Sequence, residues 1–501
     1  MYRRIIMLIT NPTAFTSTNN FHTAQSNAQT AMERLSSGQR INTAADDAAG
    51  SAIADRMTSQ IVGLDQSIRN SNDTISLVKT AEGSMKESDT ILQRMRELAV
   101  QSSNDTNTNK DREYLQAEIN QLQEELTRIA DTTEFNNQAL LDGTFTSKTF
   151  QIGANSGQNI KFSIGNMSSD TIGSQDLSLT GTMNQSVVNA DKATTVNTVL
   201  ATEDLTINGH LGTTTVDVLV NANARDVANL VNGVSDETGV TADVVTKAKI
   251  DNVSAVGTFT LNVYGKNEGA VNISAAITDV GDLTDLAQRF NEKSATTGIV
   301  AKLSDDKASI ELTNDKGYDI VLEDILETGG SGATVDLTGL DKDSAEVGAA
   351  GVLGAAVGTD TGRVSGNVTM SSDKVYTVKS AAAGGLMANT NANAATLSTV
   401  DAIDISTQGG SDDAIKVIDG ALTFVQGERA NMGAIKNRLD YTISNLTNIV
   451  ANTESSRSQI MDADFAKESS VLSKNKMLQQ SSLAMLSQAN STASEILQLL
   501  R

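Results

Sequence analysis

The chain of 501 residues has no cysteine, no tryptophan, one proline and two histidines, and only 3% of it is aromatic. Without cysteine it has no disulfide framework, no thiolate metal site and no cysteine nucleophile. Neither His22 nor His210 lies in an H-E-x-x-H arrangement, which excludes a zinc-peptidase site of that type. Pro12 alone leaves little to interrupt long helices. With so few large aromatic anchors, stability has to come from aliphatic seams and from association. No segment approaches the roughly 20 apolar residues of a transmembrane helix. The start Met1-Tyr2-Arg3-Arg4 is followed by the apolar run Ile5-Ile6-Met7-Leu8-Ile9. That run is shorter than a signal-peptide core and no small-residue cleavage site follows, so no cleaved secretory signal is expected.

The net charge is −23, and residues 181–400 hold 28 acids against 14 bases. The middle is therefore the solvated, self-repelling part of the chain. Such a surface argues against nucleic acid or anionic membrane as partners.

What the chain does have is heptad pattern at both ends. Phe21, Ala24, Ala28, Ala31 and Leu35 alternate by three and four and share one helical stripe. Gly38 fits a left-handed residue after that helix, and Asp46-Asp47 fit the cap of the next one. From 47 to about 100 two seven-residue series run together, Met57, Leu64, Val78, Met85, Leu92 and Ala99 beside Ile61, Ile68 and Ile75. A polar turn at 102–109 then leads to Leu115, Ile119, Leu122, Leu126 and Ile129, and a short turn favours an antiparallel pair. Near the other end Ile418, Val425, Met432, Leu439 and Leu446 recur by sevens and predict a helix that completes the bundle. A break is expected at Ser455-Ser456, with Asp462 and Asp464 opening a last helix along Leu478, Met485, Ala489, Ala493, Ile496 and Leu500.

Between the ends the period changes from helical to alternating. Residues 150–153 and 160–164 predict a hairpin. Further on, Leu205-Thr206-Ile207-Asn208-Gly209 corresponds to Leu261-Asn262-Val263-Tyr264-Gly265. The helical run at 226–230 before Thr238-Gly239-Val240 corresponds to 282–286 before Thr297-Gly298-Ile299. This predicts an internal repeat of α+β modules over about 203–250 and 259–324. Residues 328–362, rich in Gly, Ala and Asp, are expected to be loop-like, and 364–379 to return to strand.

No constellation for chemistry emerges. Asp105-Thr106-Asn107-Thr108-Asn109 begins like a calcium loop, but Lys110 stands where glycine is required and Gln116 where a bidentate glutamate is required. No phosphate-binding or dinucleotide glycine motif is present. The chain is expected to be no enzyme and to need no cofactor.

Specific residues at both ends carry a resemblance. The run Glu33-Arg34-Leu35-Ser36-Ser37-Gly38-Gln39-Arg40-Ile41-Asn42, with Asp46-Asp47-Ala48-Ala49-Gly50, resembles the N-terminal signature of bacterial flagellin. Gln93-Arg94-Met95-Arg96-Glu97-Leu98-Ala99-Val100-Gln101 and Phe135-Asn136 are similar to segments of its second domain. Ile460-Met461-Asp462-Ala463-Asp464-Phe465, Leu478-Gln479-Gln480, Gln488-Ala489-Asn490 and Leu499-Leu500-Arg501 match its C-terminus. Met7 aligns better with the family's start than Met1 does, and Pro12 is unusual there.

The resemblance implies an α+β multidomain fold in which both termini form a long helical coiled coil or bundle and β-rich outer domains are inserted in the middle. Its layers would be 1–46 with 455–501, a terminal helical core that forms a filament's inner tube, then 47–180 with 398–454, and the outer domains at 181–397. It implies a self-polymerising structural subunit of the extracellular flagellar filament, the propeller for swimming, exported through the flagellar type III apparatus. A hook-associated junction protein is the alternative. Implied partners are further copies of the chain, the flagellar cap and hook-associated proteins, and an export chaperone at the C-terminal helix. Polymerisation would use Phe21, Ala28, Leu35, Leu478, Met485, Ile496 and Leu500. Gln93, Arg94, Leu98, Gln101 and Glu118 would resemble a surface bound by a host toll-like receptor.

Overall fold

The computed structural model describes residues 12–189, 199, 203–327, 333–354 and 360–499, with side chains up to Thr492. Met7, the side chain of Ile496 and all of Leu500 lie outside the described residues. The described chain falls into two compact units, one from residues up to Lys79, Ser147–Ser163 and residues from Met432 on, the other from Thr80–Thr146 and Ile164–Asn431.

In the first unit, α1 (Pro12–Ser37) begins on proline, which suits a first helical turn whose N–H groups have no partner anyway. Gly38 at φ +72° ends it, as a left-handed terminal residue should. The Asp47 carboxylate then accepts the Gly50 N–H at 2.9 Å and caps α2 (Ala48–Ser103). At about 1.5 Å per residue, α2 is on the order of 80 Å long. Its Ile75 packs with Leu439 of α8 (Gln408–Met461) and with Ile160 of the hairpin Lys148–Gln151/Asn159–Phe162. The helix break expected at Ser455-Ser456 does not occur there. The Ser456 hydroxyl bonds back to the Asn452 carbonyl within the helix, and α8 continues to Met461. The break comes at Asp462–Asp464, where the Asp464 carboxylate accepts the N–H groups of Ala466 and Lys467 and starts α9 (Phe465–Leu499).

In the second unit, Thr108 and Asp111 form a reciprocal capping box at the start of α3 (Asn109–Thr132). This is what the polar turn that begins like a calcium loop does. Hydrogen bonds hold the returning chain against α3. Gln123 donates to the Val400 carbonyl and Gln116 to that of Ile403.

The outer part of this unit has a nested topology. The first module comprises strands Glu203–Asn208 and Thr213–Val218, helices α4 (Ala224–Gly233) and α5 (Ser235–Thr238), and strand Thr241–Asp251. The second comprises Gly257–Tyr264, Val271–Ile277, α6 (Thr284–Glu292), α7 (Ser294–Thr297), Val300–Leu303 and then Ile310–Asn314 and Ile320–Glu327. In the second module, the last two strands pair with its third and first. In the first module those places are taken by Asn367–Ser372 and Thr377–Ser380, which come after the whole second module. The second copy is thus inserted inside the first. Each has its own core, around Ile207, Val231 and Val378 in one and around Leu261, Phe290 and Leu322 in the other.

The repeat extends to single hydrogen bonds. Asn232 exchanges two bonds with the Ala242 backbone at 2.8 and 2.9 Å, and Asn291 exchanges two with the Ala301 backbone at 2.8 Å each. Gly239 and Gly298 follow at φ +74° and +70°. This places Val227, Ala228 and Val231 opposite Leu286, Ala287 and Phe290, three residues away from the helix alignment expected above. The clasp predicts that Asn291→Ala lowers stability by about 1–3 kcal/mol, which chemical denaturation of the full chain would measure.

The loop-like reading of 328–362 is corrected for its described part, which contains the hairpin Thr334–Leu340/Glu346–Gly354. Its glycines are packing residues. A Cβ on Gly339 would lie 1.8 Å from the Asn184 carbonyl oxygen, a place that only glycine can occupy.

Candidate assembly interface

Within the first unit, α1 and α9 pack antiparallel. On α1 the buried residues are Ser17, Ala24, Ala28 and Ala31, with Phe21 and Leu35 half-buried beside them. The expected stripe therefore faces α9. On α9 the outcome differs. The buried residues among those described are Glu468, Asn475 and Ala489, with half-buried Ser482 completing a seven-residue series. Leu478 and Met485 do not join this seam and remain 45% and 60% exposed, together with Phe465, Met477 and Leu483. Heptad spacing locates an apolar face, but it does not say which partner the face is for.

The two chain reversals in this unit are bonded to each other. The Ala463 N–H donates to the Gly38 carbonyl at 2.9 Å, and the Arg40 side chain donates to the Ile460 carbonyl at 2.6 Å. The Arg34 guanidinium reaches Glu468 at 3.3 Å and Asp46 at 3.9 Å. Sequence reasoning missed this group. The heptad spacing of Glu468, Asn475, Ser482 and Ala489 was the signal that could have found it. The N–H and hydroxyl groups of Thr43, with the N–H of Asn42, hold the Asp46 carboxyl below the usual carboxylate range. A depressed folded-state pKa contributes stability above the unfolded value and loses it as pH falls through the folded one. The turn at 42–46 should therefore loosen below about pH 4, and Asp46→Asn should remove that pH dependence of amide exchange in the turn.

In the second unit, Gln93, Arg94, Gln101 and Glu118 are exposed. Arg94 bridges Glu97 at 3.0 Å and Glu118 at 2.9 Å, and both acids raise its pKa. Leu98 is only 1% exposed and belongs to the core, so it is not part of that surface. Leu98→Ala should cost about 3 kcal/mol through the cavity it leaves, whereas Arg94→Ala should cost under about 1 kcal/mol. Urea unfolding would separate the two. Arg96 pairs with Asp419 at 2.7 Å and Arg429 with Asp89 at 3.4 Å, and these bonds tie α2 to α8 in this unit. Among the described residues no helix is long and apolar enough to cross a membrane.

Residues 9–146 match the bacterial flagellin N-terminal helical region, 415–500 the bacterial flagellin C-terminal helical region, and 204–253 the flagellin hook IN motif. The matched motif covers the first outer module up to the point where the second begins. The chain is 36% identical over 494 residues to a B-type flagellin of Pseudomonas aeruginosa, covering 98% of this chain and 99% of that one. It is 34% identical over 496 residues to flagellin B of Vibrio anguillarum, covering 99% of each. Among solved structures, FliC from Burkholderia pseudomallei aligns over 73% of this chain and 99% of its own at 19% identity, with a TM-score of 0.29. The signatures at both ends and the near full-length identity lead to one conclusion: the chain belongs to the bacterial flagellins, the subunits of the flagellar filament.

Proposed function

We propose that assembly of this filament subunit is coupled to the burial of the outward apolar face of α9. The observation that carries this reading is the division of α9. Its small and polar heptad faces α1, while Met477, Leu478, Leu483 and Met485 stay exposed. Exposed surface of this kind is costly in a free subunit, so the terminal helices fold fully only when neighbouring copies cover them. In this reading 1–46 with 455–501 form the inner tube, 47–180 with 398–454 the surrounding bundle, and 181–397 the solvent-facing outer domains. The subunit is exported unfolded through the type III channel and adds beneath the flagellar cap, beyond the hook-associated proteins. An export chaperone would cover the C-terminal helix before assembly, and a toll-like receptor could meet the Gln93, Arg94, Gln101 and Glu118 surface only on free monomer.

The test is the pair Leu478→Asp with Met485→Asp. Both side chains are exposed in the subunit, so the soluble protein should keep its circular dichroism. Seeded growth followed by electron microscopy should show no elongation, and elongation at the unsubstituted rate would reject the reading.

A further inference from the structure

We propose that Arg34 and Glu468 act as a register lock between α1 and α9, a role that rests on the filament reading. The α1 side of the seam is built from alanines, Ala24, Ala28 and Ala31, all nearly inaccessible. A seam of small, similar side chains resembles itself when shifted by one heptad, so its packing distinguishes poorly between registers. The fully buried residues of α9, Glu468, Asn475 and Ala489, include no large apolar knob, and the larger Phe21, Leu35, Val471, Leu472 and Leu486 are only half-buried. Shape therefore discriminates only weakly between registers.

Charge does select one. The Glu468 side chain is 10% exposed and that of Arg34 27%, and they meet at 3.3 Å. Among the described residues, this covered carboxylate has Arg34 as its cationic partner in the observed register. Sliding α9 by one heptad would move it about 10 Å along α1 and leave it buried without that partner, which is strongly disfavoured. Asn475, seven residues further on, is a second buried polar group on α9. The lock sits next to the backbone pairing of Gln39 with Asp462, so the reversal at Gly38 and the helix pair are set in the same place. A subunit that must refold at the end of a growing filament gains from this. It reaches one helix alignment instead of several of nearly equal stability.

The absence of cysteine makes the test clean. From the pairing of Arg34 with Glu468, three residues along each antiparallel helix bring Ala31 beside Val471. Filaments carrying Ala31→Cys with Val471→Cys should form an intrachain disulfide, and those carrying Ala24→Cys with Val471→Cys, one heptad out of register, should form little. Arg34→Met, which leaves Glu468 unpaired, should slow seeded elongation at least tenfold. The double variant Arg34→Met with Glu468→Met should recover elongation but lose selectivity, with the 31–471 crosslink falling at least threefold relative to 24–471. The lock is overturned if Arg34→Met elongates at the unsubstituted rate, or if the double variant keeps the original crosslink preference. Failure of the unsubstituted chain to elongate would instead count against the filament reading, so the two failures are distinguishable.

Discussion

A chain ending at Ser470 is expected to remain a soluble monomer that does not elongate seeds, while its bundle and outer domains still fold. The truncation removes Met477, Leu478, Leu483 and Met485, which are 45–65% exposed in the subunit and carry the apolar area left for neighbours. Covering the exposed part of each contributes about 1–2 kcal/mol, or roughly 4–8 kcal/mol per subunit for the four. That is a loss of a thousandfold or more in the affinity of each addition. The second unit keeps its own buried seam, with Met85, Leu92, Ile119, Leu126, Ile418 and Val425 all inaccessible, so it should persist. A loss of helical ellipticity no greater than α1 and the missing part of α9 account for, with a monomeric sedimentation coefficient, is the expected result. Elongation of seeds by the truncated chain at the full-length rate would refute the assignment of assembly to α9.

Replacing residues 246–366 with Asn-Gly is expected to give a smaller protein that folds cooperatively and still assembles. Val245 and Asn367 are direct partners in the antiparallel pair of Thr241–Asp251 with Asn367–Ser372, so a two-residue turn can close the strands where the second module now enters. The remaining strands keep the pairings that complete the first module, Glu203–Asn208 with Thr213–Val218 and with Thr377–Ser380. Its core residues Leu205, Val216, Val231, Val368 and Val378 all lie outside the excised span. A comparable deletion that cuts at 381 instead would remove two of the first module's own strands and should unfold it. Thermal unfolding of both variants, followed by seeded growth, distinguishes them. Loss of a cooperative transition in the first variant would reject the nested arrangement. A broader deletion of about 185–395, which removes both modules, should also leave an assembling subunit, since the heptad seams lie outside it.

Much of this was readable from local pattern. The α1 stripe, the two series along α2, the Asp47 cap, Gly38 and the hairpin at 148–162 all depend on residues within a few turns of one another. So did the existence of a repeat, because Thr238-Gly239-Val240 and Thr297-Gly298-Ile299 occupy the same backbone turn. Other readings needed distant partners. Ser455-Ser456 looked like a break because serine is a modest helix former, but the surrounding helix carries it. The glycines of 339–354 looked like loop, because nothing nearby in sequence reveals that Asn184 presses against Gly339.

The same distinction separates the two levels of this protein. Composition and periodicity were enough to decide that both ends are helical, that the middle is β-rich and that association must supply part of the stability. Those are properties of single residues and of spacing along one element. Only the tertiary structure decided that α9 turns Glu468 and Asn475 toward α1 and leaves Leu478 and Met485 outward, that Leu98 lies in the core, and that strands 367–380 close the first module around the second. Each of these is a choice among partners that periodicity leaves equal. The choice is made by an ion pair, a buried cavity or a strand register formed between residues far apart in the chain.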